Sequence, residues 1–272
     1  MNKIDHNELS TLTAEIRDIA NEAGNKILEI YETEFTVENK EDDSPLTAAD
    51  LAAHTTIYNR LRKLTPEIPV LSEESTNINF TERSGWQQYW LVDPLDGTRE
   101  FIKRNGEFSV NIALIEKHRS ILGVIHIPVT HEAYSASLNN GAYYHQQHET
   151  STPISVKPTD PETITVAGSR SHGNRKLRDF IDRLPDPEIL SIGSSLKFCL
   201  VAHGKADIYP RFGPTSEWDT AAAQSIVEEA GGVVVDLQFN KLEYNTKDSL
   251  LNPAFLVIAD QNFDWSTYVK EL

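Results

Sequence analysis

Three short acidic segments in this chain have residue types and spacing able to hold a cation. Residues 90–98 read Trp-Leu-Val-Asp-Pro-Leu-Asp-Gly-Thr, which sets Asp93 and Asp96 side by side in the chain. The apolar, β-favouring run Trp90-Leu91-Val92 delivers Asp93 to the end of a strand. Pro94 and Gly97 then predict a tight turn that keeps the two carboxylates close. Such a pair repels itself unless a proton or cation lies between, and a hard divalent ion with oxygen ligands meets that need. Glu73 and Glu74 end a predicted strand at 69–71, where alternation lets only one of them face a given ion. Asp219 stands in Glu-Trp-Asp-Thr-Ala-Ala-Ala, ahead of an apolar helical run, in the place of a helix N-cap.

Other residues would serve an anion. Gly97 and Thr98 open a new element, where backbone N–H groups face a phosphate as helix N-termini do. Asp50 ends Pro45-Leu46-Thr47-Ala48-Ala49-Asp50. A hydrogen bond from the Thr98 hydroxyl to its carboxylate would orient a water for attack. Ser169-Arg170-Ser171-His172, Gly193-Ser194-Ser195-Leu196-Lys197 and Tyr209-Pro210-Arg211 set cations among small polar residues, the composition of an anion contact. Each also reads, taken singly, as a solvated surface. His145 and His148 are spaced His-x-x-His in a polar, aperiodic stretch and read as loop residues, not ligands. Cys199, within Phe198-Cys199-Leu200-Val201, reads as core.

Periodicity names the elements that must position these groups. Leu9, Leu12, Ile16, Ile19, Ala23, Ile27 and Ile30 recur at helical spacing, and a second helix begins at Thr47, with Leu51, Ile57, Leu61 and Leu64 on its apolar side and Pro66 beyond its end. A charged turn is expected at 38–45 and a polar loop at 77–88. Runs at 109–115, 121–127 and 133–137 predict an antiparallel sheet. Residues 145–163 read as a seam between a first α+β subdomain, 1–148, and a second, 149–272. Beyond it, strands near 164–167, 189, 206–209, 233–236 and 255–259 alternate with helices at 174–184, from 195, and at 220–230, a layered α/β pattern.

Composition narrows the class. The 272 residues are 39% hydrophobic and 24% charged, an ordinary globular balance. A net charge of -16 argues against nucleic-acid polymers and anionic membranes as main partners. It leaves room for a small anion held by local cations. A single cysteine gives no internal disulfide framework and suits a reducing compartment. The first residues lack a secretory pattern, and no apolar run approaches the ~20 residues of a membrane span. The expectation is a cytoplasmic protein, peripheral inner-membrane association being open.

Asp50, Glu73-Glu74, Asp93 to Thr98, Trp218-Asp219 and Gly231-Gly232 occur in the order typical of the lithium-sensitive phosphatase superfamily, which the chain resembles from about residue 10 to about residue 260. Within it, Ser44 to Asp50, Pro69 to Glu74, Asp93 to Leu114, Ser191 to Val201 and Leu251-Asn252-Pro253 resemble bacterial 3'(2'),5'-bisphosphate nucleotidases of the CysQ type. The usual Thr-Lys-Glu-Phe stands here as Thr98-Arg99-Glu100-Phe101.

The resemblance implies an α/β (α+β) fold, a layered α-β-α-β-α sandwich of the inositol monophosphatase and fructose-1,6-bisphosphatase type. It implies Mg²⁺ as cofactor: one ion on Glu73, Asp93 and the Leu95 carbonyl, and a second sharing Asp93 and adding Asp96 and Asp219. A weaker third would sit near Glu73. It implies that Thr98 and Asp50 activate water while Glu74 supports the metal shell. Gly97 and Thr98 would grip the scissile phosphate, and Ser169, His172, Ser194, Ser195, Lys197, Arg211 and Asp219 would line the substrate site. The reaction implied is removal of the 3'-phosphate of adenosine 3',5'-bisphosphate by a monomer or homodimer. Inositol monophosphate or another sugar phosphate is a second substrate class, and a non-catalytic nucleotide binder a third reading.

Overall fold

The predicted amphipathic stripe becomes α1 (Leu9–Tyr31), and α2 (Pro45–Leu64) starts on a proline, whose missing N–H costs nothing in a first helical turn. This computed structural model describes residues 4, 6–33, 45–75, 77–147, 149–168 and 175–270. The expected charged turn, except Pro45, lies outside them, as do Ser169, His172 and His148. The chain continues through β1 (Val70–Ser72), α3 (Phe80–Arg83), β2 (Gln88–Asp96), α4 (Thr98–Ile102), β3 (Ser109–Glu116), β4 (Arg119–Ile127) and β5 (Glu132–Ser137). Next come β6 (Ala142–His145), β7 (Thr152–Ile154), β8 (Ile164–Gly168), α5 (Arg175–Ile181), β9 (Pro187–Ser191), α6 (Leu196–Ala202) and β10 (Ile208–Arg211). The last elements are α7 (Ala221–Glu229), β11 (Val233–Asp236), β12 (Phe255–Ile258) and α8 (Ser266–Val269).

Two expectations are corrected. The polar loop at 77–88 contains α3, capped where the Asn79 side chain accepts from the Glu82 N–H at 3.0 Å. The polar stretch from 145 begins inside the first sheet: His145 ends β6, and β7 follows within the stretch. β6 and β7 are the last two strands of the sheet, β7 its edge, and apart from Ala142 and Ile154 their side chains are partly or fully exposed, so they lack the apolar alternation of a buried strand.

The seven-stranded sheet runs β1 to β7 in order, antiparallel except for the β1–β2 pair. The five-stranded sheet has the order β11-β12-β10-β8-β9 and is mixed. Period-two alternation separates the layers. Trp90, Val92, Ile112 and Leu114 face α1 and α2, whereas Tyr89, Leu91, Ala113 and Ile115 face α6 and α7. The far side of α6 and α7 meets Tyr209, Phe255 and Val257, and the outer face of that second sheet is closed by Phe180 of α5 and by Trp265 and Val269 near α8. The result is the expected α-β-α-β-α sandwich. At its centre α7 lies almost on the sheet: a Cβ on Gly123 would fall 2.1 Å from the Ala222 carbonyl oxygen. No helix among the described residues is long and apolar enough to cross a membrane.

Candidate active site

β2 does not turn at Pro94, as the sequence predicts. It runs on to Asp96, with Asp93 opposite Asn111 and Asp96 opposite Ser109, so three steps along β2 match two along β3. That is a β-bulge, a place where a residue without an N–H fits. It has a chemical consequence, because residues three apart on a regular strand point to opposite faces and the extra residue undoes that alternation. The turn comes one residue later, at Gly97, in the left-handed region with φ 98°. A Cβ there would meet the Glu107 carbonyl oxygen at 3.1 Å, so glycine alone fits comfortably.

Glu73 and Glu74 stand on a single 3-10 turn, Glu73–Ser75, not on the strand end expected. Strand alternation therefore no longer decides which one faces the cation. Glu73, Asp93 and Asp219 each offer a carboxylate oxygen within 4.8 Å of the other two. Asp93 is 1% exposed, and its Oδ1 accepts the Leu95 N–H at 3.1 Å. Asp219 does not cap α7, whose N-cap is Thr220; its Oδ2 accepts the Ser216 N–H at 2.9 Å.

Burial and mutual repulsion raise the proton affinity of these acids. Burial, then Asp96, Glu73, Asp219 and Asp50 together drive Asp93 well above the ordinary carboxylate range. Burial and Asp96 raise Asp219 to about 7. Glu73 is exposed by surface area, yet its carboxyl faces a crowded concavity. Desolvation there and the charges of Asp219, Glu74 and Asp96 raise it to about 7, against a hydrogen bond from Trp218. Asp50, on α2, is raised to about 8 by burial and then by Glu74 and Glu73. It thus shares the acidic cluster, but no hydrogen bond among the described residues joins it to Thr98 as expected.

A cleft of about 180 Å³ adjoins the cluster, and Asp96, Gly97, Thr98, Ser194, Lys197 and Arg211 are among its walls. The structure thus brings together most of the cations and small polar residues singled out in the sequence. Three of them also make internal contacts. Ser195 is 2% exposed, its N–H donates to Asp96 Oδ2 at 2.6 Å, and its hydroxyl lies 2.6 Å from the same oxygen. Lys197 Nζ donates to the Ser194 carbonyl at 2.5 Å and lies 5.4 Å from the Tyr209 ring centre. Burial pushes the Lys197 ammonium down to about 8, although Asp96 opposes it. Arg211 is fixed through Nε to the Thr215 hydroxyl at 2.9 Å.

Sequence reading missed several supports. Asn111 donates to Asp96 at 3.4 Å and to the Ser195 hydroxyl at 2.9 Å. The signal was Ser109 and Asn111, two polar residues on one face of an otherwise apolar strand. Asn252 Nδ2 donates to the Ser216 carbonyl at 2.8 Å and to the Thr220 hydroxyl at 3.0 Å, steadying the loop that carries Asp219. Glu217, 1% exposed, takes the Asn245 N–H at 2.8 Å, and Asn245 in turn accepts from buried Arg83.

The model of the inositol monophosphatase family matches residues 8–264. The chain belongs to the inositol monophosphatase family. It is 47% identical over 245 residues to the 3'(2'),5'-bisphosphate nucleotidase CysQ of Escherichia coli K12, covering 89% of this chain and 98% of that one. Identity is 49% to the protein of the same name from Salmonella typhimurium, with the same coverage. Among solved structures, CysQ from Bacteroides thetaiotaomicron superposes with a TM-score of 0.83 at 41% identity, covering 92% of this chain and 97% of that one. Inositol monophosphatase family enzymes are metal-dependent, and the residues here fit a metal. The donor set is entirely carboxylate oxygen, convergent and self-repelling, which suits a hard divalent cation better than a thiolate- or imidazole-seeking one.

Proposed function

We propose that this protein is a Mg²⁺-dependent phosphatase that hydrolyses the 3'-phosphate of adenosine 3',5'-bisphosphate to give AMP and phosphate. This serves the sulfate-assimilation role of the CysQ type. The observation that carries the reading is a cleft lined both by the carboxylates Asp96 and Asp219 and by the cations Lys197 and Arg211. The names of the relatives, identical at nearly half of the aligned positions, point the same way. A monophosphorylated sugar would leave Lys197 and Arg211 without an anion of their own.

Glu73, Asp93, Asp96, Asp219 and the Leu95 carbonyl would hold two Mg²⁺ ions, with a weaker third near Glu73, and Glu74 would support that shell. Bound Mg²⁺ neutralises the acids and offsets the charge of the scissile phosphate, which is about two negative charges near neutral pH. Gly97 and Thr98 present the first N–H groups of α4 to that phosphate. Thr98 and Asp50 orient the attacking water; its oxygen bonds to phosphorus, Asp50 takes its proton, and the ribose oxygen, released as the P–O bond breaks, becomes a hydroxyl with a proton from solvent. Lys197, Arg211 and Ser194 hold the second phosphate. Ser195 acts mainly by fixing Asp96, and Ser169 and His172 complete the nucleotide contacts. No covalent nucleophile is required, since phosphoryl transfer is largely positioning and charge stabilisation.

The test is phosphate release by the Mg²⁺-loaded protein, with adenosine 3',5'-bisphosphate and inositol 1-phosphate at matched concentrations. Higher kcat/KM on the nucleotide is expected. Faster turnover of inositol 1-phosphate would replace this substrate assignment with the sugar phosphate one.

A further inference from the structure

A second recess, of about 270 Å³, opens between α1 and the β5–β6 edge, and it shares no residue with the cleft described above. On β5, Tyr134 and Ala136 face the middle layer. The alternate positions facing α1 are Ser135 and Ser137, each 2% exposed. A face that is apolar on β3 and, apart from His126, on β4 therefore becomes hydroxyl-lined here.

Arg17 Nη1 donates to His145 Nδ1 at 2.5 Å and lies 3.2 Å from Nε2 of the same ring. The Ser151 hydroxyl stands 2.7 Å from Nδ1 and the Ser135 hydroxyl 2.7 Å from Nε2, so both serines are tied to the imidazole. The Ser137 oxygen accepts from Asn140 Nδ2 at 3.1 Å, and its own hydrogen has no acceptor among the described residues. Arg17 Nε and Nη2 likewise meet no protein acceptor among the described residues, and no described carboxylate lies within ion-pair distance of them. No acid lines the recess, although the chain holds 41 Asp and Glu against 25 Lys and Arg. Burial and the adjacent Arg17 charge push His145 down to about 4, so the ring stays neutral.

We propose that this recess binds a tetrahedral oxyanion, phosphate or sulfate, either free or carried on a nucleotide. The guanidinium edge and the buried Ser137 hydroxyl supply donors, with the Ser135 hydroxyl beside them on the same strand face, and a tetrahedral anion supplies only acceptors. The assignment stands apart from the phosphatase reading, because it uses none of that site's residues.

Equilibrium dialysis of the full chain with Mg²⁺ and radiolabelled inorganic phosphate tests it. Arg17→Met should lose one bound phosphate per chain, both in the wild-type background and in Asp96→Asn, while phosphate release from the bisphosphate substrate stays unchanged. Ser137→Ala leaves Arg17 and His145 in place and should weaken the same binding about tenfold, which separates loss of the site from loss of the fold. Competition by AMP for the Arg17-dependent phosphate would assign the nucleotide-borne anion, and failure of AMP to compete would assign the free ion. Phosphate binding of equal number and affinity in wild type and both variants would overturn the proposal. So would the absence of saturable binding in Asp96→Asn, as for a recess holding only water.

Discussion

Asp93 is the residue on which the site's electrostatics converge. It is fully enclosed, four other acids raise its proton affinity, and its Oδ1 accepts the backbone N–H two residues on. Without a cation it is therefore a source of instability, and this separates its contribution to activity from its contribution to folding. Asp93→Asn keeps the volume and removes the repulsion. Turnover should fall by three orders of magnitude or more. In EDTA the variant should melt at least about 2 °C above wild type, since each kcal/mol is worth a few degrees in a chain of this size. A variant that melts lower in EDTA would mean that the buried carboxylate is compensated by an interaction other than the acids around it. Gly97 and Pro94 were legible as special residues from sequence alone, because one lacks a side chain and the other a donor. What they do was not legible: a bulge and a turn have the same composition, and only pairing with β3 distinguishes them.

At the scale of elements, the site is held by short connectors whose polar side chains are spent on one another. The N-terminal approach to α6 grips Asp96 through the Ser195 N–H and hydroxyl, while β3 reaches the same pair through Asn111. Outer-shell contacts of this kind typically change metal affinity or activity 10–100-fold. Ser195→Ala should accordingly lower kcat by about tenfold and raise the Mg²⁺ concentration needed for half-maximal activity. A rise in substrate KM with neither effect would place the hydroxyl on the nucleotide instead. The long helices and central strands were readable because their apolar periodicity extends over many residues. The 3-10 turn carrying Glu73 and the outlying strands β6 and β7 were not. The first is too short for a period to register, and the others owe their existence to neighbours in the sheet. Most acids and cations of the site were visible as residue types in suggestive company. The partners that orient them, Asn111, Asn252 and Asn245, come from distant segments that only the fold brings near.

For the whole molecule, the clustered acids tie stability to pH in a definite direction. Asp50 is raised to about 8 and Glu73 and Asp219 to about 7, from ordinary values near 4. A carboxyl that binds its proton more tightly when folded stabilises the fold fully below its unfolded pKa and loses that contribution as pH rises through the folded value. Metal-free protein should thus lose stability between about pH 4 and pH 8, and the gain in melting temperature on adding Mg²⁺ should grow over the same interval. A Mg²⁺ gain that is flat with pH would break the link between these acids and the cation. The five layers add a mechanical constraint, because Asp93 rides on the first sheet whereas Asp219 rides just ahead of the middle-layer helix. Their separation is set by how deeply α7 settles on β4, and that depth exists only because position 123 lacks a side chain. Gly123→Ala should weaken Mg²⁺ binding and turnover while leaving every acid in place, with a loss of about 1–3 kcal/mol in stability as the helix is levered outward. The missing methyl works as the molecule's calliper: a catalytic dimension of a few ångströms is gauged at a position that holds neither ion nor substrate.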